Sequence, residues 1–223
     1  MIYTSYEMIQ DCRAGKPAGW SYFLANYKAV VERLAAHYGV TDVAAALAAV
    51  RDSLFQSIQP MPERQFVAEL RQKVLAAAPN RTLDIDLESL AQAFAPLTVV
   101  EKKAVWLETM RYSLEDAARM LRMDAATVAK IRDKAAEMLR AGQDRWSRTM
   151  LAEGGIALGR AVAVQKQPEC IPPKKLLDVI DGRSTWANRE EMERHITACW
   201  YCVDHFSRLH EVCDLLRPSP KAN

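Results

Sequence analysis

Ser113-Leu114-Glu115-Asp116-Ala117-Ala118-Arg119-Met120-Leu121-Arg122-Met123-Asp124-Ala125-Ala126-Thr127-Val128 holds two helix starts in close succession. Ser113 followed by Asp116 is close to a capping box, in which each end of the motif satisfies a backbone N–H of the other. The first helix is predicted to close at Leu121, and the chain to turn through Arg122-Met123. Asp124 can then cap a second helix that runs to about Arg140. Ala117 and Ala118 are small enough to let the two helices cross closely. Helix, brief turn, helix is the helix-turn-helix pattern.

Helical spacing continues on both sides of this stretch. Leu87, Leu90, Ala91 and Phe94 form one amphipathic set that stops at Pro96, and residues 99–110 form another. Further upstream, Trp20, Phe23, Leu24, Tyr27, Val30, Val31 and Leu34 make a core stripe that ends at Gly39. A helix from Asp42 to Ile58 turns Val43, Leu47, Val50, Leu54 and Ile58 inward, and Pro60 and Pro62 break it. A further helix from Glu63 to Ala77 ends at Pro79-Asn80. Alternating strand patterns are absent, and the predicted fold class is all-α.

Downstream, the spacing Cys170-x24-His195-x3-Cys199-x2-Cys202 stands in a chain of five cysteines and four histidines. Three sulfurs and one imidazole suit a closed tetrahedral Zn2+ site. Asn188 to Leu209 reads as one helix, with Glu190, Glu191 and Glu193 near its positive end. At about 100° per residue, His195, Cys199 and Cys202 fall within an arc of roughly 60° on that helix. Cys170, ahead of Pro172-Pro173 and a short apolar helix at 176–180, supplies the fourth ligand. His205, His210 and Cys213 are rivals for that place, and Cys12 reads as a core residue. A redox Cys-x-x-Cys lacks the surrounding strand–helix alternation it needs. A hydrolytic zinc needs an open position, which a filled three-sulfur, one-nitrogen set does not leave.

Thirty basic and 28 acidic side chains leave a net charge of +2, so nucleic-acid contact needs a local basic surface. Between Arg119 and Arg148 the sequence has such an excess, with eight basic residues against four acidic. No signal-type leader or span of ~20 apolar residues is present, so a cytoplasmic protein with no membrane partner is expected. Reduced thiols in that compartment favour metal over disulfide. Neither a glycine-rich phosphate loop nor a catalytic triad or carboxylate pair stands out, and no enzyme is expected.

Three segments resemble known families. Residues 87–140 resemble region four, the promoter-recognition region, of extracytoplasmic-function-type sigma factors. The likeness rests on Ala95-Pro96-Leu97, Ser113-Leu114-Glu115-Asp116-Ala117-Ala118, Thr127-Val128 and Lys134-Ala135-Ala136-Glu137-Met138-Leu139-Arg140. Residues 7–79 are similar, more faintly, to the polymerase-binding region two of that family. Residues 170–212 resemble the zinc-binding anti-sigma domain, through Leu176-Leu177-Asp178-Val179-Ile180-Asp181-Gly182 and the His-x3-Cys-x2-Cys spacing. The chain departs from the family in three places. Asp42-Val43-Ala44-Ala45-Ala46-Leu47 replaces an acidic, glutamine-bearing stretch. Ala76-Ala77-Ala78-Pro79-Asn80-Arg81 replaces a basic, aromatic segment that melts promoter DNA. Arg122 stands where glycine is common.

The resemblance implies a transcription regulator in five parts. These are a region-two-like domain (1–80), a region-four-like helix-turn-helix domain (81–148), a linker (149–169), a zinc-binding anti-sigma-like domain (170–217) and a tail (218–223). Core RNA polymerase and promoter DNA are the expected partners, with the zinc domain gating the rest in cis. Arg122, Thr127, Lys130, Lys134 and Arg140 are the expected DNA contacts. Ala125 and Ala126 offer no base hydrogen bonds, so readout falls to Thr127, Lys130 and thymine methyl groups. A second expectation is a degenerate adaptor that binds a separate sigma factor or regulator and does not initiate transcription.

Overall fold

The computed structural model describes residues 3–54, 58–79, 86–142 and 154–217, with the side chains of 53, 54 and 140–142 left out. Among the described residues the fold is all-α, twelve helices and no strand. No helix among the described residues is long and apolar enough to cross a membrane. The chain divides into two compact units, Met1–Asn80 and Arg81–Asn223.

The first unit contains α1 (Ser5–Arg13), α2 (Pro17–Tyr38), α3 (Val43–Ala49) and α4 (Glu63–Ala76), with a π-helical turn at Val50–Leu54. α3 ends at Ala49 and passes into the π-turn, and residues 55–57 of the expected 42–58 helix lie outside the described residues; Ala46 rather than Leu47 is buried on α3, while Val50 and Ile58 are buried as expected. α1 lies close against α2 because Gly19 has no side chain: a Cβ there would meet Cys12 N at 2.7 Å. Phe23, Tyr27 and Phe66 pack edge to face between α2 and α4, with Tyr27 and Phe66 centroids 5.1 Å apart. The Tyr27 hydroxyl donates to Glu63 at 2.9 Å, which satisfies its polar end. Gly39 adopts φ 69° and closes α2 in the left-handed cap that glycine favours.

The second unit begins with α5 (Leu87–Phe94), α6 (Val99–Thr109), α7 (Leu114–Leu121) and α8 (Ala125–Gly142). Each start has a side-chain cap, those at Ser113 and Asp124 as expected. Asp86 accepts from Glu88 N and Ser89 N, Thr98 and Glu101 form a capping box, and Ser113 accepts from Asp116 N. Asp124 accepts from Thr127 N at 2.8 Å and starts α8. The α7–α8 turn passes through Arg122 at φ 58°, a left-handed conformation that costs a residue with a Cβ about 1 kcal/mol or more. Ala117 is fully buried at the helix crossing.

The unit continues with α9 (Gly155–Ala163), α10 (Pro173–Ile180), α11 (Trp186–Ala198) and α12 (Trp200–Leu215). α12 is the centre of this unit and packs against α6, α7, α9, α10 and α11. It is buried on every side from Trp200 to Val212, including Asp204, Ser207, Arg208, His210 and Glu211. α9 lies within the 149–169 linker, where the sequence allows a helical piece around Ile156 to Val164. The helix-turn-helix and the Cys/His segment therefore share one compact unit.

Candidate metal centre

The single helix expected over Asn188–Leu209 is two helices. Cys199 takes an extended conformation, φ −123° and ψ 107°, and breaks the chain between α11 and α12. His195 thus lies in the last turn of α11, Cys199 in the break and Cys202 in the first turn of α12. The three ligands converge across a bend, not along one helix face. The break also turns Trp200 inward, where it meets Phe94 edge-on at 4.5 Å and Trp106 at 5.2 Å.

Cys170 comes to the same point from the segment before α10. A ring nitrogen of His195 and the sulfurs of Cys170, Cys199 and Cys202 all lie within 4.8 Å of one another, a set that can hold a metal ion. Cys170 Sγ and Cys199 Sγ are 3.8 Å apart. Sulfurs about 2.3 Å from a tetrahedral ion would be separated by about 3.8 Å. Two main-chain amides point at the sulfurs: Gln167 N donates to Cys170 Sγ at 3.2 Å and Ile171 N to Cys202 Sγ at 3.4 Å. Such N–H groups orient and stabilise thiolate ligands. Nε2 of His195 is buried and has no hydrogen-bond partner among the described residues.

The sulfurs are electrostatically unequal. The hydrogen bond from the Cys202 thiol, above all, holds Cys199 down to about 5. That same bond, with burial, pushes Cys202 up, and burial raises Cys170. Three clustered sulfurs cannot all ionise without a compensating cation. The rival ligands lie elsewhere. His210 sits against Lys103, His205 stacks on Tyr201 at 5.5 Å, and Cys213 is half-buried near the end of α12. Cys12 belongs to the other unit, where burial raises its thiol to about 11.

The segment that carries these ligands is bonded into the helix-turn-helix. On α6, Lys102 Nζ donates to the Thr197 carbonyl, Lys103 Nζ meets His210 Nε2 at 3.3 Å, and Trp106 Nε1 donates to Asp204 Oδ1 at 3.1 Å. Ahead of α7, the Tyr112 hydroxyl donates to Glu211. Arg119 Nε donates to Asp214 Oδ2 at 2.8 Å, and Arg122 Nη1 to the Ile180 carbonyl at 3.0 Å. Burial, then the neighbouring Lys103, holds His210 well below the ordinary histidine range. Its neutral ring can therefore accept from the ammonium. Sequence reasoning missed Asp204, Glu211 and Asp214, and took His210 only as a rival metal ligand.

The expected DNA contacts are differently committed. Arg122 is tied to Ile180, Lys134 pairs with Glu101 at 2.8 Å, and the Thr127 hydroxyl donates to Asp124 at 2.6 Å. Lys130 is exposed on α8 beside Asp124, as are Ala126 and Asp133. The Arg140 side chain, Arg145, Arg148 and the tail at 218–223 lie outside the described residues. A scan against protein-family models and searches of curated proteins and of solved structures found no match to this chain.

Proposed function

We propose that this chain is a transcription regulator: a sigma-factor-like protein, not an enzyme, whose C-terminal zinc-binding segment gates it in cis. One observation carries the reading. The helix that follows the Cys/His cluster is buried on all sides within the same compact unit as the helix-turn-helix. A metal there would tie residues 170, 195, 199 and 202 together and so brace α10, α11 and the start of α12. Zn2+ is the ion that best suits three thiolates and an imidazole, as it has no redox chemistry and accepts a tetrahedral set. Closing four ligands makes it a structural ion, and its binding energy becomes folding energy for the gate. In this reading the chain works in the cytoplasm, with core RNA polymerase and promoter DNA as partners.

The test is reconstituted transcription with core polymerase and the full chain, with zinc assayed on the same sample. About one zinc per chain is expected, with low activity that rises when the metal is removed or when the α12 contacts are broken. A metal-free folded protein, or activity indifferent to the metal, overturns the reading.

A second reading is supported by the alanine-rich stretch at 42–47 and by the commitment of Arg122 and Lys134 to partners inside the chain. Here the protein is an adaptor that binds a separate sigma factor or regulator. Retention of core polymerase in a pull-down distinguishes the two, as an adaptor without polymerase affinity is not retained.

A further inference from the structure

Every hydrogen bond described above between the α6–α7 face and the C-terminal helices runs the same way. Lys102, Lys103, Trp106, Tyr112, Arg119 and Arg122 donate. Two main-chain carbonyls, one imidazole nitrogen and the carboxylates of Asp204, Glu211 and Asp214 accept. Among these bonds the α6–α7 face supplies the donors, and such a set suits a partner that accepts. The phosphodiester backbone is such a partner, and most protein–DNA hydrogen bonds go to it.

The lysines add a second argument. Lys102 and Lys103 are both buried, and neither has a carboxylate as its hydrogen-bond partner. Lys102 has a carbonyl, and Lys103 has an imidazole and the Phe206 ring 4.2 Å from its nitrogen. Glu193 on α11 acts on Lys103 through space, without a described hydrogen bond. Burying an ammonium without a hydrogen-bonded counter-charge is costly, and apolar residues would fill the same space at lower cost. The cost is intelligible if the two ammoniums meet anions in another state of the chain. The acidic residues of α6 are turned elsewhere: Glu101 and Glu108 face α8 through Lys134 and Arg132.

The geometry points to a second nucleic-acid surface, distinct from the exposed start of α8. The α6–α7 face, with Lys102, Lys103, Arg119 and Arg122 as its cations, binds the phosphate backbone of duplex DNA when α12 withdraws. In the closed chain the carboxylates of α12 stand in for phosphates. This rests on the reading that the C-terminal helices gate the helix-turn-helix, and it names what they cover.

The test uses the full zinc-loaded chain and a short mixed-sequence duplex. Glu211→Gln/Asp214→Asn removes two phosphate stand-ins and leaves the Asp204–Arg208 pair intact. It is expected to bind DNA roughly tenfold or more tighter than wild type at low salt, with a salt dependence steeper by about 2–4 counterions. Adding Lys102→Gln/Lys103→Gln should abolish that gain. A folded double variant that binds no more tightly than wild type overturns the site, as does a gain that survives loss of the lysines. Should the variant fail to fold, wild type carries the test. Saturating duplex should speed amide exchange in Trp200–Leu215, and unchanged or slower exchange there overturns the site. A gain in affinity for core polymerase without one for DNA makes this face a protein-binding surface and also overturns it. Metal-dependent control of transcription without any DNA gain sinks this surface alone. A chain whose transcription ignores the metal sinks the parent reading, whatever its DNA affinity.

Discussion

Trp106 Nε1 and Arg208 Nη2 both donate to the Asp204 carboxylate, at 3.1 and 2.7 Å, and that carboxylate is fully buried. Asp204 therefore joins α6 to α12 and neutralises a guanidinium that is itself only 2% exposed. Removing one partner of a buried ion pair leaves the other charge stranded, at about 3–5 kcal/mol. Asp204→Ala is expected to lower the stability of the second unit by that order. Urea unfolding followed by Trp106 and Trp200 fluorescence measures it. A loss below about 1 kcal/mol would mean that Arg208 finds another anion or water.

The cluster makes a prediction about metal. Cys202→Ser or His195→Ala should remove the bound ion and lower the melting temperature, whereas Cys12→Ser and Cys213→Ser should leave both unchanged. Elemental analysis and thermal unfolding of the four variants read this out. Ligand thiols must lose protons to bind, so the metal-linked part of the stability is lost as pH falls. A chelator should reproduce the ligand-variant melting temperature in the wild-type chain.

Lys102 and Lys103 set an alkaline dependence. Burial brings each down from 10.5 to about 8 in the folded chain. Between those values the unfolded chain binds more protons than the folded one, so stability rises with pH across that window. Below about 8 both states are protonated and the full penalty of burying the charges is present. Lys102→Met is expected to stabilise the chain at neutral pH by a few kcal/mol, on the order set by the shift. Its advantage should shrink as pH approaches 10.5. Paired denaturant titrations across that range check the sign, and an advantage that grows with pH refutes it.

Arg122 separates backbone strain from side-chain contact. Its φ of 58° favours glycine, while its guanidinium holds the Ile180 carbonyl. Arg122→Ala loses the contact and keeps the strain, whereas Arg122→Gly loses the contact and relieves it. Glycine should therefore be the more stable of the two by about 1 kcal/mol. Both variants should speed amide exchange at 176–182, where α10 loses its tether. Equal stability of the two would show that the turn carries no strain.

Much of this protein is legible residue by residue. Ser113, Asp116 and Asp124 announce two helices and the turn between them, because capping is a local bargain between a side chain and the nearest N–H groups. The four side chains of the Cys/His cluster are legible because few residues supply sulfur or imidazole, and their spacing is unusual in so small a set. The helix over 188–209 misleads because helical spacing continues through Cys199. Only the packing of Trp200 against Phe94 and Trp106 shows the bend that brings Cys199 to Cys170.

The sequence by itself determined the helical class, the caps at Ser113 and Asp124, the turn at Arg122 and the identity of the four clustered Cys and His side chains, all of which depend on neighbours in the chain or on side-chain chemistry alone. The tertiary structure decided what α12 is. Nothing in the sequence marks Asp204, Glu211 and Asp214 as buried, since polar residues on a helix ordinarily face solvent. They are buried because α6 and α7, about a hundred residues upstream, offer matching donors. Complementarity between two distant faces leaves no periodic trace in either, so it emerges only when both are folded together.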